Sequence, residues 1–152
     1  MLPNLPDEIY EMFVVPQNDA PLNQFDDHPR GRWFVHFGGL TIEEFNNLSW
    51  HRAELSFDKD IFHLDTYEDI KRLITFHMNP PMDTLRSRNP TDSRERLIRH
   101  RKIIVETGRL CAPIVCIRTN SGLKLLDGVH RVIASLSVKG SEAIPLDAWV
   151  GE

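Results

Sequence analysis

The sequence predicts an α/β fold in which a small mixed sheet is flanked by helices within a single domain. The clearest observation is a short apolar run at residues 123–126, which has the length of a strand and is broken by Asp127-Gly128. From Val129 the apolar residues follow helical spacing, and Gly140 is placed as a helix C-cap. Two further apolar runs suit strands on either side of this unit, at residues 110–117 and 144–150.

The N-terminal part of the chain is the least regular. Residues 1–32 are rich in Pro, Asn and Asp and are interpreted as an extension in which only residues 9–15, a strand or a short helix, are ordered. The domain proper is predicted to span residues 33–152. It begins with a strand at residues 33–37 that Gly38-Gly39 ends in a turn, because no Lys or Ser/Thr follows at the spacing of a phosphate loop.

The middle of the chain alternates between strand and helix patterns. Thr41 and Glu44 are spaced as a capping box for a short helix. A strand is predicted at residues 53–57, with residues 61–64 extending it or pairing with it, and a helix at residues 67–77. A second helix is predicted to begin near Asp92-Ser93 and to end at Thr107. Its apolar residues define the predicted core face: Leu97, Ile98, Ile104 and Val105.

Length and composition restrict the class of protein. A chain of 152 residues is sufficient for one domain with a real core. The net charge of −4 argues against a protein that coats nucleic acid through its overall charge. No apolar run is long enough to span a membrane and no leader pattern is present, so we expect a cytoplasmic protein without a membrane partner.

The two cysteines, Cys111 and Cys116, fall within one predicted strand. At strand rise they would lie roughly 16 Å apart on opposite faces, too far for a disulfide. They are interpreted as buried free thiols. No set of Cys and His residues has the spacing of a structural zinc site.

The strand, glycine turn and helix at residues 123–138 predict a phosphate-binding site. The first N–H groups of such a helix have no partner within it, and together with the helix dipole they favour an anion. Gly128 allows close approach of the backbone, while His130 and Arg131 lie in the first helical turn and can contact the same anion. Asp127 offers a carboxylate to a metal ion or a hydroxyl group. The same local pattern also occurs in α/β proteins that bind no ligand.

A basic segment extends from Arg86 to Arg109 in an otherwise acidic protein. It has two interpretations: a solvated helix face, or a surface that attracts polyphosphate or nucleic acid. On the second interpretation the candidate nucleic-acid contacts are Arg94, Arg96, Arg99 and Lys102.

The order of these motifs resembles the core of the ParB/sulfiredoxin superfamily. The shared features are a helix followed by a Gly turn, a strand that opens Pro-Ile-Val at residues 113–115, a second strand, a helix that opens D-G-x-H-R, and a final G-x-x-x-I-P strand. The match covers about the last third of the chain well. The resemblance implies that Gly128 and Val129 bind nucleotide phosphate, and that three flanking residues contribute to the same pocket: Arg88, Asn89 and Arg109.

The departures from the family pattern narrow the expected activity. Sulfiredoxins have their catalytic Cys where this chain has Val129, so sulfinic acid repair is not expected. Partition ParB proteins have G-E-R-R in place of Gly128 to Arg131, which sets this chain apart from them. The resemblance implies a core that binds ATP or another nucleoside triphosphate with Mg²⁺.

Catalytic roles are assigned to Asp127, His130 and Arg131, with Asp127 also as metal ligand. The expected activity is ATP hydrolysis or phosphoryl transfer, or nuclease cleavage of DNA. A kinase would also need a carboxylate base, for which Glu54 and Asp65 are candidates. The alternative is a regulatory module of plasmid or phage type that binds nucleotide or nucleic acid without chemistry.

Overall fold

A four-stranded mixed sheet is the centre of the computed structural model, which describes residues 4–14, 38–58, 61–78, 90–138 and 144–152. The sheet has the order β1-β4-β2-β3, with β2 and β4 parallel and the other neighbours antiparallel. The strands are β1 (Trp50–Leu55), β2 (Ile114–Thr119), β3 (Gly122–Asp127) and β4 (Leu146–Gly151). The predicted α/β class with a small mixed sheet is confirmed.

The described helices are α1 (Asp7–Ile9, continued by a π-helical turn at Tyr10–Val14), α2 (Ile42–Asn46), α3 (Leu64–Met78), α4 (Pro90–Thr107) and α5 (Val129–Ser137). The capping box at α2 is confirmed, since Thr41 and Glu44 exchange side-chain and backbone hydrogen bonds. The turn at Gly38-Gly39 is confirmed as well. None of the helices in the described part of the chain is both long and apolar enough to cross a bilayer.

Helices α3, α4 and α5 cover one face of the sheet. Strand residues that alternate along β2 and β4 point toward these helices, and they pack against apolar side chains from each of them. The buried members of this layer include Ile70 on α3, Leu97 and Ile104 on α4, Val132 and Ile133 on α5, and Ile114, Cys116, Ala148 and Val150 in the sheet. Burial on this scale fixes where α4 and α5 lie relative to each other.

The opposite face of the sheet is covered by residues 4–14 and α2. Ile9, Phe13 and Phe45 are buried against Val115 of β2. Trp149 Nε1 donates a hydrogen bond of 2.9 Å to Glu8 Oε2, which ties the N-terminal segment to β4. The predicted boundary at residues 32 and 33 and the predicted strand at 33–37 lie outside the described residues.

The predicted core face of α4 is wrong in two positions. Leu97 and Ile104 are buried as expected, but Ile98 and Val105 have exposed fractions of 62% and 70%. Adjacent helical residues differ by about 100° in direction, so the stripe that holds Leu97 and Ile104 turns Ile98 and Val105 away from the sheet. Sequence alone does not show that α4 buries such a narrow stripe.

Two strand predictions also differ from the structure. The segment at residues 61–63 does not pair with β1; Phe62 instead forms a parallel bridge with Leu123 of β3, and the amide of Leu123 donates to the Ile61 carbonyl at 3.0 Å. Cys111 lies before β2, not within it, and is exposed, whereas Cys116 is buried as expected. Pro113 directly precedes the strand, and its lack of an N–H prevents an earlier start of the ladder.

The end of α5 is also earlier than the pattern predicts. The helix stops at Ser137, and Val138 is already extended with φ −85° and ψ 136°. The predicted C-cap, Gly140, lies outside the described residues. The beginning of α5 at Val129 is as predicted.

Candidate anion-binding site

The first turn of α5 has no capping side chain, because the residue that precedes it is a glycine. Gly128 has φ 103° and ψ 19°, and no side chain accepts from the first amides of the helix at this cap. A Cβ atom at Gly128 would lie 2.6 Å from Cγ2 of Ile114 and 3.0 Å from Nη2 of Arg131. Both the left-handed backbone and this close approach therefore require glycine here.

The turn opens into a pocket with a volume of about 510 Å³. The pocket lies between the start of α5 and the middle of α4, and it is lined by Arg96, Arg99, His100, Leu126, Asp127, Gly128, Val129, His130 and Arg131. Its volume falls within the range of small-molecule sites. The structure thus brings together the predicted phosphate site and part of the basic segment, which the sequence treats as separate features.

Arg131 is held in place by the ends of two strands. Its Nη2 donates to the carbonyl oxygen of Pro113 at 3.1 Å and to Oδ2 of Asp127 at 3.2 Å. The side chain has an exposed fraction of 14%, and its buried Nε has no hydrogen-bond partner within the described part of the chain. This guanidinium group is consequently oriented before any ligand arrives, and it retains a donor that is not used.

The pocket carries an excess of positive charge. Among the described residues, the lining holds three arginines, Arg96, Arg99 and Arg131, and a single carboxylate, Asp127. Asp127 pairs with Arg131. Among the residues that the structure describes, neither Arg96 nor Arg99 has an acidic side chain within salt-bridge distance. An anion is the ligand that such a lining favours.

His100 is the pocket residue that sequence analysis missed as a site residue. Burial lowers its pKa below the ordinary value, and the charges of Arg131, Arg99 and Arg96 lower it further. Its Nδ1 lies 3.4 Å from Sγ of Cys111. The spacing of Arg96, Arg99 and His100 at i, i+3 and i+4 is the signal that could have grouped them, since these positions share one helix face.

The other predicted site residues have different positions. Arg109 does not line the pocket; it bonds Asp147 and Glu54, and these hydrogen bonds raise its pKa. Glu54 is thus an ion-pair partner, and Asp65 is exposed at the start of α3. Lys102 is exposed on α4 and is not part of the pocket lining. Outside the described residues or side chains lie Arg88, Asn89 and Arg94.

The pocket offers limited ligands for a metal ion. In the described ranges Asp127 is the sole carboxylate of the lining, and no three His, Cys, Asp or Glu side chains group as a metal site would require. Mg²⁺ often binds through one carboxylate, with phosphate oxygens and water as its other ligands. The donor set therefore fits a metal that enters together with phosphate, and does not fit a metal held by protein alone.

Comparisons with known proteins yield no relative. No family model, no curated protein and no solved structure matches this chain. The resemblance to the ParB/sulfiredoxin superfamily therefore stays a prediction.

Proposed function

We propose that the pocket between α4 and α5 binds the phosphate groups of a nucleotide, with ATP and Mg²⁺ as the first ligands to test. The observation that carries the proposal is the convergence of an uncapped helix start at Gly128 with three guanidinium groups on one pocket. Helix amides and arginines are the two groups that proteins most often direct at phosphate.

The division of roles follows from how each group is held. Arg131 is fixed by Pro113 and Asp127, so it supplies a positioned donor at the start of α5. Arg96 and Arg99 approach from α4 and supply charge on the other side of the bound group. Two phosphate groups of a polyphosphate would satisfy both sides better than one, which favours ATP or pyrophosphate over a monophosphate.

Phosphoryl transfer or hydrolysis is the activity we propose for this site. Positioned cations stabilise the charge that develops on the transferred group, which is the main requirement of such reactions. Mg²⁺, when bound beside Asp127, would neutralise phosphate oxygens. His130 lines the pocket next to Arg131 and is our candidate for a proton donor to the leaving oxygen. The acceptor is water, a phosphodiester or a small hydroxyl compound.

Thermal unfolding with ligand tests the binding step. We expect ATP with Mg²⁺ and pyrophosphate to raise the Tm of the wild-type protein, since both bind only the folded state, and adenosine to leave it unchanged. Arg99→Gln should abolish most of the rise. Arg101→Gln is the matched control, because Arg101 lies on the same helix but outside the pocket lining. Equal shifts in both variants, or none in the wild type, would contradict the proposal.

Release of inorganic phosphate tests the chemical step. We expect turnover that a chelator abolishes and that His130→Gln reduces more than it reduces ATP binding. Binding without turnover would support the second candidate, a module that recognises nucleotide or nucleic acid without chemistry.

The second candidate is favoured by the exposed positive charge of α4. Arg101 and Lys102 extend the charge of Arg96 and Arg99 beyond the pocket. If this surface contacts DNA or RNA, binding should weaken steeply as the salt concentration rises. Lys102→Gln should then reduce the slope of log binding constant against log salt concentration by about one counterion. If Lys102→Gln keeps the full slope, this part of α4 is a solvated helix face that does not contact nucleic acid.

A further inference from the structure

We propose that Cys111 and His100 form a reactive thiol site that exchanges with small anionic disulfides beside the pocket. The site differs from the proposed nucleotide function and does not depend on it. It consists of an exposed thiol, an imidazole in contact with it, and the guanidinium groups around that imidazole.

The two cysteines of the chain differ in their capacity to react. Cys116 is buried in the sheet, and burial raises the pKa of its thiol to about 12. Cys111 is exposed in the turn before β2, and its Sγ lies 3.4 Å from Nδ1 of His100. Reactive cysteines are found in partly exposed, electropositive surroundings with a proton acceptor nearby. Of the two thiols only Cys111 meets these conditions.

His100 is available as a proton acceptor at neutral pH. Burial, Arg131 on α5, and Arg99 and Arg96 on its own helix all lower its pKa, so the imidazole is unprotonated. Of the residues that the structure describes, Asp127 is the one acidic group that shares the pocket lining with His100. A neutral imidazole in contact with a thiol can take the thiol proton as the sulfur attacks.

The same positive charges select the reagent. A disulfide that carries carboxylates is attracted toward Arg96, Arg99 and Arg131, whereas a disulfide with ammonium groups is repelled. The chemical class that we assign to the site is therefore an anionic disulfide, of which oxidised glutathione is the probe.

The exchange transfers one half of the disulfide to Cys111 and releases the other. Sγ of Cys111 attacks one sulfur of the disulfide and its proton passes to Nδ1 of His100. A new Cys111–S–S–R bond forms, the original S–S bond breaks, and the departing thiolate receives the proton from His100. The disulfide is the oxidant, the protein thiol is oxidised, and one small thiol is released for each adduct.

An adduct on Cys111 would stand next to a residue that lines the pocket, because His100 belongs to both sites. Anion binding and thiol modification should then oppose each other, and by linkage the opposition holds in both directions. The thiol would make the pocket responsive to oxidation.

The test measures adduct formation at Cys111 by peptide mass mapping. Reduced protein is mixed with oxidised glutathione or with cystamine, a cationic disulfide, and each rate is divided by the rate for free N-acetylcysteine to remove intrinsic reactivity. We expect the normalised rate with oxidised glutathione to exceed that with cystamine by about tenfold at low salt, and the ratio to shrink as salt screens the arginines.

Three variants separate the parts of the proposal. His100→Gln should slow both disulfides alike, Arg99→Gln should reduce only the charge preference, and Arg101→Gln should retain both rate and preference. Equal normalised rates for the two disulfides in the wild type, or an undiminished rate in His100→Gln, would overturn the thiol site.

Pyrophosphate distinguishes this proposal from the nucleotide function. A charge preference measured without pyrophosphate, together with slower labelling and a smaller preference once pyrophosphate is added, supports the thiol site and a shared pocket. A charge preference that persists while pyrophosphate has no effect supports the thiol site and counts against phosphate binding. Labelling with no charge preference counts against the thiol site, whatever pyrophosphate does.

Discussion

Two charged groups in this protein, one around Arg109 and one in the pocket, differ in how their arginine charge is balanced. Arg109 donates to Glu54 on β1 and to Asp147 on β4, so one guanidinium group faces two carboxylates. In the pocket the proportion is reversed, since its described lining residues include three arginines and one carboxylate. A cation whose charge is fully balanced by carboxylates of the protein attracts an anionic ligand only weakly. A group of cations that the described residues balance only in part is a candidate site for an anion.

The position of Arg109 between two carboxylates has a structural reason. Glu54 and Asp147 are direct partners in the antiparallel pair of β1 and β4, and like charges in this arrangement repel. Arg109 bridges them from the turn that follows α4. Although the family resemblance implies a nucleotide contact for this residue, the structure gives it a neutralising role between two strands.

The largest expected effect concerns the glycine that opens the pocket. Gly128→Ala should lower the free energy of unfolding by about 2–5 kcal/mol, because the added Cβ combines an unfavourable φ with a clash against Ile114. Denaturant unfolding measures the change. Gly108→Ala is the control, because Gly108 also has a positive φ of 73° but a Cβ added there would meet no atom within 4 Å. Its free energy of unfolding should therefore fall only by the backbone cost, about 1–2 kcal/mol. Equal losses would show that the contact with Ile114 is not tight.

Arg131→Ala should have the second largest effect, and it should lower both the stability of the unliganded protein and the affinity for an anion. From sequence alone this change is expected to cost little stability in the absence of ligand. Because Arg131 donates hydrogen bonds to Pro113 and Asp127 in the structure, we expect Arg131→Ala to lower the free energy of unfolding by about 1–3 kcal/mol. Affinity for pyrophosphate should fall by a further amount of roughly 1.5–3 kcal/mol. Arg131→Lys should keep part of the affinity, as measured by calorimetry; full affinity in Arg131→Ala would remove this residue from the site.

Arg99→Gln and Arg109→Gln should have opposite effects. The first should leave the unliganded protein as stable as the wild type, or slightly more so, and should lose most of the Tm rise with pyrophosphate. The second should lower the Tm without ligand and keep the full rise, because it leaves Glu54 and Asp147 opposed. Melting curves of both variants with and without pyrophosphate give the four values. The comparison between the two groups fails if both variants behave alike.

The smallest expected effect is a pH dependence from His100. Its pKa is lowered in the folded protein, so the unfolded chain binds more protons below the ordinary value of 6.5. Stability should therefore fall as pH falls below that value, and be regained above it. A bound anion offsets the arginine charges and raises this pKa, so anion affinity should increase toward lower pH.

Sulfate is the suitable probe for this pH dependence, since it stays a dianion across the range. His100→Gln should flatten both the stability and the affinity profiles between about pH 5 and 7. Profiles that match the wild type in His100→Gln would assign the dependence to other groups.

Much of the candidate site could be predicted because its signals are local. The break at Asp127-Gly128 and the apolar spacing from Val129 fix a strand, a turn and a helix start within ten residues. The capping box at Thr41 is local in the same sense. Interactions between near neighbours in sequence depend little on the rest of the fold.

The partners of these local elements were decided by tertiary structure. Helix α4 carries apolar residues on more than one side, and only its packing against α5 and the sheet buries Leu97 and Ile104 while leaving Ile98 and Val105 exposed. The same orientation of α4 about its own axis places Arg96, Arg99 and His100 in the pocket at the start of α5. Sequence therefore determined the glycine turn and the helix start at Gly128, by way of local backbone geometry. Tertiary packing decided which charges surround it, because the direction of a helix face is set by the free energy of burying its apolar side.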